Sequence, residues 1–219
     1  MPLFSPSFKR HFANHQWNQD NVLKETHVDE AQDGMCLALT LHWLTYMKTQ
    51  NAPAEDSFYR LISDRPLLKQ LAGQQRHYGT NPLSTLPKER RGPVSPTHLV
   101  ELSSTHSSTL GRKCTLGPAR LADEIAREID QGGYPVFFEV GIFFKVGFRA
   151  KEPAGHSIGI AVDAYDTLAL FDPNYGLAII ERSFSGIVKR NGKFDEVVKE
   201  LISLYEADEV TYNRVIDHL

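Results

Sequence analysis

The chain has 219 residues, 41% hydrophobic and 23% charged, a balance that suits one domain of ordinary size with a sizeable core. Its formal net charge of -3 offers no basic surplus for nucleic acid, and no stretch approaches the roughly 18 to 20 apolar residues that cross a bilayer. Two cysteines, Cys36 and Cys114, are too few for a disulfide framework, and the absence of Cys-x-x-Cys or similar spacing gives no reason to expect a metal or a cofactor.

Residues 1 to 30 are polar and rich in Asn, Gln and His, which predicts a flexible, irregular arm ahead of a single domain over 31 to 219. The first ten residues lack the apolar core of a Sec signal peptide. His11 and His15 have metal-like spacing but stand in a stretch without a helical pattern.

The most apolar helical pattern follows, from about 34 to 48, apolar on nearly every side and therefore expected in the centre of the domain. Cys36 opens it, with Gln32 and Asp33 just before. A thiol at a helix start meets the positive end of the macrodipole and the unpaired first-turn N–H groups, which favour thiolate. Cys36 is therefore the candidate nucleophile, and Trp43 on the same helix reads as core packing.

Asp56 to Ser63 and Pro66 to Gln75 read as two more helices, the second with an apolar face of Leu67, Leu68 and Leu71. Tyr78 to Pro96, rich in Pro, Gly and Ser, reads as a long exposed loop, a lid or recognition element as much as a disordered one. His98 to Ser104 is a short helix candidate, and Leu121 to Ile129 a helix ended by Gly132-Gly133. Strand-like runs follow at 134 to 140, 142 to 146, 156 to 162, 167 to 171 and 177 to 181, then a helix over 195 to 205 and a strand over 209 to 215. A helix-rich first half packed on a sheet-rich second half predicts an α+β fold with a cleft between the halves.

Two of these strands form a hairpin around Tyr165-Asp166. Antiparallel pairing centred there sets i + j near 330 and brings His156 close to Asp172 and Asn174. A thiolate needs an imidazole as base and then acid, and the imidazole needs an acceptor on its far nitrogen. Cys36, His156 and Asp172 supply these in chain order. Each alone has a plainer explanation: a buried small residue, a structural histidine, a turn-opening acid.

Three blocks resemble the YopT-type family of bacterial cysteine proteases: Gly34-x-Cys36 running into a helix with Trp43, Gly155-His156-Ser157-Ile158, and Phe171-Asp172-Pro173-Asn174-x-Gly176. The separations of 120 and 16 residues between Cys36, His156 and Asp172 are similar to that family's. The resemblance implies a papain-like fold, a central helix carrying the Cys on an antiparallel sheet carrying His and Asp, with Cys36 as nucleophile, His156 as base and Asp172 as its orienter. It also implies a host protein as substrate, export by a dedicated bacterial secretion system and action in the host cytosol. Papain-like enzymes take an oxyanion donor from an amide five or six residues before the Cys, where this chain has Ala31 and Glu30; Gln32, at four, is the nearest amide. Glutamine deamidase, transglutaminase and catalytically idle binding module remain open as alternatives, because the same scaffold serves all three.

Overall fold

The computed structural model describes residues 6–26, 35–79, 108–132, 135–146, 152–165, 167–180 and 192–217. Its elements are helices α1 (Pro6–Lys9), α2 (Gln19–Thr26), α3 (Cys36–Gln50), α4 (Ala54–Ser63), α5 (Arg65–Gly79), α6 (Leu121–Gly132) and α7 (Gly192–Leu204). Six strands, β1 (Ser108–Leu116), β2 (Val136–Val146), β3 (Glu152–Val162), β4 (Leu168–Asp172), β5 (Gly176–Ile180) and β6 (Glu209–Asp217), form one antiparallel sheet in the order β1-β6-β2-β3-β4-β5. The fold is α+β, as the alternation of apolar patterns predicts.

Both faces of the sheet are covered, because strand alternation sends apolar side chains to each. On one face Phe137, Ala161, Ala169, Phe171 and Val215 pack against α3, α4 and α5. On the other, Phe138, Val140, Ile158, Ile160 and Leu170 pack against α6 and α7. Ten of the fifteen residues of α3 are buried, which accounts for a helix apolar on nearly every side. Trp43 seats α3 on the sheet: a Cβ on Gly159 would lie 2.7 Å from the indole, so the strand must carry glycine there. The indole N–H donates to the Ala54 carbonyl (3.2 Å).

The β3–β4 pairing follows the predicted hairpin. Gly159 faces Phe171, Ile160 faces Leu170 and Val162 faces Leu168, each pair summing to 330. The runs expected as separate strands at 134 to 140 and 142 to 146 are one strand. Gly141 stays in the ladder opposite Ser157 and Thr211, where a Cβ would meet the Thr211 hydroxyl at 2.8 Å; it marks close packing rather than a break. β1, unexpected from the sequence, joins the sheet through β6.

The segment expected as an irregular arm is seated in the domain over residues 6–26. Phe8 and Phe12, four residues apart, are fully buried beside Tyr175, with Phe8 edge-on to the Tyr175 ring at 5.0 Å. From there the backbone runs along the β4–β5 turn: Trp17 N–H donates to the Tyr175 carbonyl (3.1 Å), Gln19 N–H to the Pro173 carbonyl (2.8 Å), and His15 C=O accepts from Leu177 N–H (3.1 Å). Polar composition concealed this, because the segment is held by backbone bonds and two aromatic side chains. α5 takes in Tyr78 and Gly79; the remainder of the 78 to 96 loop and the 98 to 104 helix candidate lie outside the described residues.

Candidate active site

Cys36 is the first residue of α3, at the place where the helix leaves its first N–H groups without intrahelical acceptors. It is a free thiol, buried with 7% of its surface accessible, so no bridge to Cys114 removes it. His156 stands on β3 and Asp172 ends β4, and the hairpin register carries one to the other: His156 Nε2 lies 2.9 Å from Asp172 Oδ1. The Cys36 side chain lies near the same imidazole and favours its charged form. The structure thus brings together all three predicted side chains, two of them from a hairpin and the third from a helix more than 100 residues earlier.

Asp172 has no accessible surface, and its charge is distributed over several donors. Oδ1 accepts from His156 and from the Asn174 backbone N–H (2.8 Å), and Oδ2 accepts from the Tyr205 hydroxyl (3.1 Å). The Tyr205 ring stacks on the imidazole with centroids 4.8 Å apart and planes 22° from parallel. Burial by itself lowers the pKa of His156, yet the charge of Asp172, its hydrogen bond and the contact with Cys36 overcome this and push it up to about 10. The imidazole is therefore held as imidazolium at neutral pH. Burial and then the Asp172 charge raise Tyr175 to about 12 and Tyr205 well above the usual phenol value, so both keep their protons.

With Nε2 committed to Asp172, Nδ1 is the nitrogen left to serve the thiol. This arrangement can hold a thiolate–imidazolium pair, pass a proton to a leaving group and take one back from water. Gln32, the predicted oxyanion donor, lies outside the described residues. Gln19, which sequence reasoning missed, sits instead against the helix start: its side-chain oxygen accepts from Met35 N–H (2.8 Å), and its amide donates to Asn174 Oδ1 (2.7 Å). No motif marks Gln19. Tyr205 falls at the end of an amphipathic helix, where an aromatic reads as packing.

His11 and His15 do not converge: His11 bonds Glu200 (3.1 Å), and His15 bonds the Tyr59 hydroxyl (3.0 Å). Among the described residues, the one set with metal-like proximity is His11, Glu196 and Glu200, and Arg10 pairs with both of its carboxylates. A cavity of about 610 Å³ beside it, lined by Arg10, Asn14, His15, Lys193 and Glu196 among others, takes in none of the three predicted site residues. No described helix is long and apolar enough to cross a membrane.

No protein-family model matches the chain, and no curated protein matches it. Solved structures do. The Pseudomonas avirulence protein AvrPphB superposes with a TM-score of 0.60 at 18% identity, covering 94% of this chain and 98% of that one. PatoxP, a cysteine protease-like domain of the Photorhabdus asymbiotica toxin PaTox, gives a TM-score of 0.49 at 13% identity and covers 96% of this chain and 57% of that one. At its fold, the chain is similar to AvrPphB over nearly its whole length: a papain-like cysteine protease fold with the Cys-bearing helix packed on an antiparallel sheet.

Proposed function

We propose that the protein is a cysteine endopeptidase of the YopT type, with Cys36 as nucleophile, His156 as acid–base and Asp172 as orienter, and that it cleaves a host protein after export from a bacterium. The observation that carries this reading is the buried imidazole held between the carboxylate of Asp172 and the thiol of Cys36 at the start of a central helix. The AvrPphB-like fold supports it, and so does the order of the three residues along the chain.

In the reaction, Cys36 Sγ attacks the scissile carbonyl and forms a tetrahedral intermediate, whose oxyanion is stabilised by backbone N–H groups at the start of α3. His156 gives its proton to the leaving amine as the C–N bond breaks. It then takes a proton from water, which attacks the thioester and restores the thiol.

Wild-type protein and Cys36→Ala, each incubated with host-cell lysate and followed by enrichment of new protein N-termini, test the proposal. New ends that vanish in Cys36→Ala are the expected result. Ammonia release, or amine incorporation at glutamine without new ends, would replace protease by deamidase or transglutaminase. Identical lysate profiles together with an unreactive Cys36 would leave a binding module.

A further inference from the structure

We propose that Gln19, Asn174 and Tyr205 are positioning residues of this thiol–imidazole centre, joined in a directional ring in which hydrogen bonds run from the residue before the nucleophile to the imidazole, and the imidazole's contact with the nucleophile closes the circuit. The inference rests on the catalytic reading above and extends it to residues that no motif marks.

The ring has one consistent polarity. Met35 N–H can only donate, so the Gln19 oxygen must face it (2.8 Å). That turns the Gln19 amide nitrogen toward Asn174 Oδ1 (2.7 Å). Asn174 then presents its own nitrogen to the Tyr205 oxygen (3.1 Å). Having accepted there, Tyr205 directs its O–H at Asp172 Oδ2 (3.1 Å). Asp172 Oδ1 takes the His156 Nε2 proton (2.9 Å), and the imidazole's contact with Cys36, one residue on from Met35, closes the ring. A single backbone N–H thereby orients two amides and one hydroxyl.

Gln19 at 4% accessibility and Tyr205 at 3% are sheltered from water, and the part-buried Asn174 is held between them by both of its amide atoms. Without the Tyr205 hydroxyl, Asp172 would hold only donors on Oδ1 and its carboxylate would be free to turn. With it, both oxygens are pinned while the phenol ring covers one face of the imidazole. The charged or titratable groups facing His156 are Cys36 from α3, Asp172 from β4 and Tyr205 after α7, with Tyr175 close to Asp172 in the turn.

Two variants test the ring. Tyr205→Phe keeps the stacked ring and deletes the donor. Gln19→Glu keeps shape and still accepts from Met35, but it offers Asn174 no donor. The Asn174 amide must turn over to pair with it, which presents Oδ1 to Tyr205 and draws the hydroxyl proton away from Asp172. The readout is alkylation of Cys36 by iodoacetamide and by anionic iodoacetate at pH 7, with intact mass to confirm one site and thermal unfolding to confirm folding. Wild type is expected to react faster than the same thiol in the unfolded chain and to prefer iodoacetate, which an adjacent imidazolium attracts. Each variant is expected to lose about 10-fold in rate, the effect of a hydrogen bond to a charged group, and to lose that preference. Should Tyr205→Phe fail to fold, Gln19→Glu decides alone. Variants that match wild type, with wild type reactive and selective, would overturn the ring but leave the catalytic reading standing; a wild-type thiol no faster than the unfolded one would overturn both.

Discussion

His156 answers to three demands at once: it must be buried, charged, and able to give up its proton. Its pKa rises from 6.5 to about 10 because the Asp172 charge and hydrogen bond, with the Cys36 contact, outweigh burial. A folded-state pKa above the unfolded value adds stability that is fully present below about pH 6.5 and is lost as pH rises through about 10. Melting temperature should therefore decline between pH 7 and 10, and decline less in Asp172→Asn, which lacks the charge holding the imidazolium. Turnover should keep its alkaline limb near pH 10, moving down in the same variant. Cys36→Ala should cost roughly 10⁴-fold or more in kcat/KM, whereas Asp172→Asn should cost less by about one to two orders of magnitude, since it removes orientation and not the nucleophile. Cys36, His156 and Asp172 were legible because helix start and hairpin register are local properties, even though β3 begins at Glu152, four residues before the strand start expected at His156. Gln19 and Tyr205 were not, because their roles arise from contacts between segments 155 and 33 residues away from their partners.

At the level of elements, close approach explains where the local patterns mislead. Gly141 reads as a strand interruption and Gly159 as a plain strand residue, yet each lets another element come within van der Waals contact of the strand. Gly159→Ala should cost about 1 to 3 kcal/mol in urea unfolding, since a methyl would enter the Trp43 ring. Gly176→Ala should cost more: its φ is +112° and a Cβ would sit 2.0 Å from the His15 carbonyl oxygen. The same change should release residues 6–26 from the β4–β5 turn, visible as faster amide exchange at Trp17 and Gln19. Asp163 joins elements by hydrogen bonds instead. Buried at the end of the hairpin, its carboxylate takes the N–H groups of Tyr165 (2.9 Å) and Thr167 (2.9 Å), and also that of Ala54 (3.1 Å) in the first turn of α4. Asp163→Ala should destabilise by about 2 kcal/mol or more, a buried cap and a turn lost together.

Across the whole molecule, fold class and the order of most elements were legible from periodicity alone, while the sheet order was not. Nothing local in Glu209 to Asp217 announces that it enters the sheet between β1 and β2. Fast-folding domains build on neighbours in sequence, and this sheet cannot. Among the described residues β1 has no strand partner other than β6, so roughly 90 residues of intervening chain must be brought round before β1 is held. The half carrying His156 and Asp172 is, by contrast, a meander of consecutive hairpins from β2 to β5. Pulsed amide labelling during refolding should therefore protect β3 and β4 before β1 and β6. A nascent chain would hold its imidazole and carboxylate in register while β2 still presents an open edge, and the interval before β6 docks is when such a chain is most exposed to pairing with a neighbour.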